Sequence, residues 1–188
     1  MPKVSEEHRE ERRRQILEGA RRAFARHGYV GAKVPLLEDE VGLSRGAIFS
    51  YYPSKLDLFV GVAAVDRQRI GELWLADGFE AIVRHIGEED PEWIAVYLEA
   101  GRMLRTDAEL RERWGVLASD VVDRISEHYA ALQENGTIRS DMSGEAVLRF
   151  LGVVLDGLAT QQGAGFPIDV EGTLELVRSA LAPSGNVA

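Results

Sequence analysis

The chain has 188 residues, a formal net charge of −9, 45% hydrophobic residues and no cysteine. That is enough apolar content for one ordinary domain or a small domain fused to a larger one, and it excludes disulfides and thiolate chemistry. The charged N-terminus MPKVSEEHREERRR lacks the apolar stretch of a secretory signal, and the run AVLRFLGVVLDGLA is too short to cross a bilayer and carries Arg149 and Asp156. A soluble, cytoplasmic protein is expected.

Helical periodicity runs through almost the whole chain, and no stretch alternates with period two as a half-buried strand would. The first helix is expected over Glu7 to His27, with Ile16, Leu17, Ala20, Ala23 and Phe24 as its apolar stripe and Gly28 placed for a left-handed cap. A loop, GYVGAKVP, leads into a short second helix, LLEDEV, with Pro35 in its first turn and Gly42 at its end. Ser44 caps a short third helix, RGAIFSYY, which stops before Pro53. Ser54 and Asp57 form a capping-box pattern that opens a fourth helix to about residue 77.

Longer helices follow: one from Pro91, one over ELRERWGVLASDVVDRISEHYAALQEN closed by Gly136, one over about 143–162 and a last one through Val170 to Leu181. The tail APSGNVA is expected to fray. The fold class is therefore all-α, with nine or ten helices: a three-helix head over residues 1–56 and a larger helical domain over 57–188.

Charge divides the same way. Residues 1–56 carry 11 Lys and Arg against 8 Asp and Glu, and the remainder carries 11 against 23, so the two parts are expected to meet different partners. Two short helices joined at GLS describe a helix-turn-helix, whose second helix must enter the major groove of double-stranded DNA. Arg45 can reach guanine O6 and N7, while Gly46 and Ala47 let the backbone come close. Tyr51 and Lys55 are placed to meet phosphates, and Arg12, Arg13 and Arg14 either track a flanking phosphate backbone or form a solvated helix start beside Glu6, Glu7, Glu10 and Glu11.

GARRAFARHGYVGAKV followed by GLSRGAIFSYYPSKLDLF resembles the N-terminal domain of the TetR family of bacterial transcriptional regulators. The likeness covers about residues 10–65 and rests on Phe24, Gly28, Tyr29, Val34, Gly42, Ser44, Gly46, Tyr51, Lys55 and Phe59 in type, spacing and order. It implies a recognition helix over Ser44 to Tyr52, with Arg45, Gly46, Phe49 and Ser50 facing bases and Lys33, Tyr51 and Lys55 facing phosphates. Three positions depart from the family's habit: Lys33 stands where Thr is common, Phe49 where Tyr is common and Tyr51 where His is usual. The operator sequence therefore cannot be carried over from a relative. SRGAIF, LRTD followed by Trp114, and VLDG further resemble the family's actinobacterial aconitase-repressor branch.

The resemblance also implies a homodimer and a small-molecule effector. The stripes Val147, Leu151, Val154, Leu158 and Val170, Leu174, Val177, Leu181 are expected at the dimer interface, although the same spacing suits an intramolecular core. Glu99, Arg102, His128 and Asp156 are the polar candidates for an effector pocket, with Trp93, Tyr97 and Trp114 as walls. If Arg102 and His128 both point inward, an anionic effector such as a small carboxylate follows.

Other chemistry finds less support. GLSRG fits the G-x-S-x-G nucleophile elbow, but that motif needs a strand before its Ser, and LLEDEV is charged and helical. His8, His27, His85 and His128 are scattered without metal-ligand spacing, and no phosphate loop or dinucleotide motif is present, so neither metal, cofactor nor enzyme activity is expected. The remaining rival is a helical carrier or interaction module whose head does not bind DNA.

Overall fold

The computed structural model describes residues 6–183, without the side chains of residues 117 and 118. Among the described residues every regular element is a helix: α1 (Glu6–Gly31), α2 (Val34–Val41), α3 (Arg45–Tyr51), α4 (Lys55–Glu88), α5 (Pro91–Met103), α6 (Ala108–Glu134), α7 (Gly144–Gly163) and α8 (Val170–Leu181). The expected nine or ten helices are reached only if two internal breaks are counted. α1 breaks at Gly28 (φ 67°) and α4 at Gly78 (φ 80°), in a region of backbone space that glycine enters without steric cost. The tail from residue 184 lies outside the described residues.

Local chemistry accounts for several helix starts. The Ala47 N–H donates to Ser44 Oγ, the Ala146 N–H to Ser143 Oγ and the Gly172 N–H to an Asp169 carboxylate oxygen, each satisfying a first-turn amide with no intrahelical partner. Ser54 and Asp57 bond reciprocally: the Asp57 N–H donates to Ser54 Oγ, and the Ser54 hydroxyl donates to the Asp57 carboxylate.

The described residues fall into two compact units. The first joins the chain up to Asp66 with Glu92–Trp114, and the second joins Arg67–Pro91 with the chain from Gly115 on. The packing unit that holds the head thus extends beyond residue 56 and takes in α5.

In the first unit, Ile16, Phe24, Leu37, Ile48, Leu58 and Phe59 form one core with Trp93, Val96 and Ala100 of α5. Phe59 meets Phe24 and Tyr29 edge-on, at centroid separations of 5.4 and 5.0 Å. Gly19 lets α1 lie directly on α2, since a Cβ there would stand 2.5 Å from Val41 Cα. Beside that contact the α2 C-terminal carbonyls are capped from α1, with Gln15 donating to Val41 O and Arg22 to Glu40 O. Tyr52 lies across Gly61, where a Cβ would meet its ring at 2.7 Å, in keeping with a packing role.

The aromatic side chains expected to wall an effector pocket belong instead to this core. Trp93 is 1% exposed, and Tyr97 and Trp114 pack against the same cluster. The Trp93 indole N–H and the Tyr97 hydroxyl both donate to Oδ2 of the buried Asp66, each at 3.0 Å. Arg21 lies over the Trp93 ring, 4.6 Å from its centroid, with Nε 3.9 Å from the same carboxylate. A buried carboxylate is tolerated only when hydrogen-bonded and near opposite charge, and these groups from α1 and α5 meet that need.

In the second unit, Phe79, Val83, Ile125, Tyr129 and Ile138 pack with Val147, Leu151, Leu158, Leu174 and Val177. Val154, Val170 and Leu181 are partly buried against them. All eight positions expected at a dimer interface therefore contribute to the protomer's own core. The reason is physical: the longest apolar stripe of a helix buries most area against a partner that the same chain always supplies. A second apolar line stays outside, with Phe150 42%, Val153 66% and Leu176 73% exposed. Exposed ion pairs join α4 to α8, Arg84 with Glu171 and Arg178 with Glu80. No helix among the described residues is long and apolar enough to cross a membrane.

Candidate nucleic-acid interface

The seven-residue α3 is held from three sides. Ile48 is buried beneath it, Ser44 caps its start, and Glu38 of α2 accepts the Arg45 backbone N–H at 2.6 Å. Glu38 thus fixes how α3 leaves α2, a role the sequence reading does not assign, because any exposed Glu on a short helix looks the same. With Ile48 inward, Lys33, Ser44, Arg45, Gly46 and Ser50 are exposed, and Phe49 and Tyr51 are partly buried against the core. The structure therefore brings most of the predicted base-facing side chains onto one outward face of α3.

Details of that face bear on what it can recognise. The Arg45 guanidinium lies 6.0 Å from the Phe49 ring centroid, a cation–π arrangement that restrains a long side chain before binding. Ser50 donates its hydroxyl to Ala47 O at 2.7 Å, leaving its oxygen lone pairs to accept from a partner. A Cβ built on Gly46 would meet nothing within 4 Å. The protein's own packing does not require glycine there, whereas close backbone approach to a partner would.

Lys55, expected to face phosphate, is engaged within the protein itself. Its ammonium donates to the carbonyls of Tyr29 (2.7 Å), Ala32 (3.3 Å) and Val30 (3.4 Å) and sits 4.6 Å from the Tyr29 ring centroid. Burial pushes its pKa down, opposed by the nearby Glu99 carboxylate. The arginine run is engaged locally as well: Arg13 with Glu10, Arg14 with Glu11 and Glu18, and Arg12 with Gln15. The Arg13 and Arg14 pairs are exposed, lie within one helix and are readily exchanged, while the Arg12–Gln15 bond is partly buried.

Ser44 follows the α2 helix and the Gly42 turn, and its oxygen accepts a helix-capping bond. The strand that a nucleophile elbow requires does not precede it.

The polar residues expected to line an effector pocket are not all buried. Arg102 and Asp156 are exposed and His128 is half-buried, so the condition for an anion-selective pair, both side chains inward, is not met. Glu99 is committed elsewhere: its carboxylate accepts the backbone N–H groups of Tyr29 (2.8 Å) and Val30 (3.4 Å). Simple helix spacing suggests pairing of Glu99 with Arg102, but the partner that wins lies 70 residues away in sequence.

Residues 16–62 match the family model for bacterial regulatory proteins of the tetR family. Over 187 residues, 98% of each chain, the protein is 37% identical to the HTH-type transcriptional repressor AcnR of Corynebacterium diphtheriae. It is 40% identical over 160 residues to AcnR of Corynebacterium glutamicum, covering 81% of this chain and 82% of that one. Salmonella enterica GusR shares the fold at a TM-score of 0.73 and 17% identity, over 94% of this chain and 95% of that one. A capped reading helix on a matched head, within near full-length likeness, leads to one conclusion: the chain belongs to the TetR family of bacterial regulatory proteins.

Proposed function

We propose that the protein is a homodimeric transcriptional repressor that acts by binding an operator and not by catalysis. The observation that carries this reading is the outward face of α3, where Arg45, Gly46 and Ser50 stand exposed on a helix whose orientation is fixed by Ser44, Glu38 and Ile48. Residues 1–56 supply the reading head, and residues 57–188 supply dimerisation and effector response. Arg45 meets a guanine edge, Gly46 admits the backbone, Phe49 and Ser50 complete the base-facing set, and Lys33 and Tyr51 lie towards phosphates. The names of the relatives support repression as the outcome.

One short helix reads few bases, and two-fold pairing doubles the contacts on half-sites of a palindrome. The surface best suited to pairing is the exposed line Phe150, Val153 and Leu176, and not the buried stripes. Effector binding relieves repression only if the effector favours the arrangement that cannot bind DNA.

The test is titration of the purified protein onto the duplex upstream of its own gene and onto a scrambled duplex, across several salt concentrations. Tight, salt-steep and selective binding is expected. If selection of bound fragments from the whole genome also yields no preferred sequence, the regulator reading falls and the carrier reading replaces it.

A further inference from the structure

Between α1 and α2 the chain turns sharply at Gly28 (φ 67°, ψ 169°) and runs through Tyr29, Val30 and Ala32 into Lys33. At such an elbow the amides just after the break and the carbonyls ending the helix both lose their helical partners. Here both sets are taken by side chains of the later helices α4 and α5. Glu99 of α5 accepts the N–H groups of Tyr29 and Val30, and Lys55, the first residue of α4, donates to the carbonyls of Tyr29, Val30 and Ala32.

Gly28 makes the first of these contacts possible twice over. Its φ is one that other residues adopt only under strain, and a Cβ there would stand 2.9 Å from Glu99 Oε2. The Tyr29 ring is fixed at the same place, stacked on Phe24 at 5.9 Å and beneath the Lys55 ammonium. The Glu99 carboxylate and Lys55 ammonium thus hold opposite polar edges of one short segment. α5 is itself anchored in the same unit through Trp93 and Tyr97 on Asp66.

We propose that Glu99 is a positioning residue for operator recognition, and that through it α5 governs the angle at which α2 and α3 leave α1. The proposal rests on the DNA-binding reading above. Glu99 contacts no DNA; it sets the elbow. An effector that displaces α5 draws the carboxylate off the two amides and frees the elbow, and the reading helix loses its fixed presentation without any change in its own residues.

The test compares the full-length wild type with Glu99→Ala and Glu99→Gln, each titrated onto the selected operator duplex and a scrambled duplex over a salt series. Glu99→Ala is expected to weaken operator binding about tenfold or more, the scale of one lost charge-assisted bond. Scrambled-duplex affinity should stay within about twofold and its salt slope should not change, because no phosphate contact is removed. Glu99→Gln should recover most of the loss, since its amide oxygen still accepts the Tyr29 N–H. Equal operator affinity for wild type and Glu99→Ala overturns the proposal, as does an equal loss on both duplexes. If Glu99→Ala does not fold, amide hydrogen exchange decides with Glu99→Gln, where faster exchange at Val30 supports the clamp and unchanged exchange overturns it. A wild type that prefers no sequence removes the DNA-binding reading itself, a separate result from a wild type that selects an operator and a Glu99→Ala variant that selects it equally well.

Discussion

The two compact units bury their cores by similar means and differ in what their side-chain bonds hold and in the apolar surface they leave outside. In the first, side chains reach the main chain at the helix ends: Gln15 and Arg22 on α2, Glu38 on α3, and Glu99 and Lys55 on the elbow at Gly28. In the second, Gln133, Arg139 and Gln162 likewise reach main-chain carbonyls, exposed side-chain pairs such as Arg84 with Glu171 and Arg178 with Glu80 run between α4 and α8, and apolar surface is left over at Phe150, Val153 and Leu176. Backbone-directed bonds fix angles, whereas exposed ion pairs add little and tolerate exchange. The first unit is built to hold a geometry, and the second leaves a face that another apolar surface can cover.

The comparison breaks most readily at Trp93. If it belongs to the head's core, Trp93→Ala should cost about 3–5 kcal/mol in chemical denaturation and abolish DNA binding. A variant of normal stability that fails only to respond to effector would return Trp93 to a ligand site. On the other unit, Leu151→Ala is expected to destabilise the fold by about 2–5 kcal/mol. On the proposed pairing, Phe150→Asp should leave the fold intact but shift sedimentation from dimer to monomer, because it would place a charge in a desolvated interface. If Leu151→Ala dissociates the dimer at unchanged stability, the stripe has been assigned to the wrong partner.

Smaller effects sharpen the head. Arg45→Ala should weaken operator binding by about 1–3 kcal/mol and relax one base position. An equal loss on scrambled DNA would argue against a base contact. Lys55→Ala separates two roles. A phosphate contact predicts a salt slope lower by about one, and the elbow brace predicts an unchanged slope with lower stability; the hydrogen bonds favour the second. Gly46→Ala should stabilise the free protein by up to about 1 kcal/mol, as helix propensity directs, while weakening operator binding.

The smallest effect is acidic. Ser54 and Arg113 hold the Asp57 carboxyl below its ordinary pKa. Its contribution is present above the unfolded value near about 3.9 and is lost as pH falls through the lower folded value. Asp57→Asn should therefore cost less than about 1 kcal/mol near neutrality and flatten the acid limb of stability.

What could be read in the sequence was what local chemistry decides. Gly28, Gly42 and Gly136 do adopt positive φ, Ser44 and Ser54 do cap helices, and the helix-turn-helix follows from their spacing. Faces and long-range partners were not legible in the same way. α7 is apolar on more than one side, so periodicity could not say whether Leu151 or Phe150 turns inward. Glu99, Lys55 and Asp66 look like ordinary surface charges until residues 26 to 70 positions away come beside them. The resemblance placed Lys55 near phosphate, and only the folded elbow shows three carbonyls competing for its ammonium.

The open space around Gly46 has an evolutionary consequence. Because neither Gly46 nor the Ser50 hydroxyl is seen to bond another helix, on the proposed reading of α3 substitutions there would change operator preference without first being filtered by folding. The scaffold and the code it reads are therefore separable, so duplicated copies of such a gene can drift to new operators while keeping the same fold.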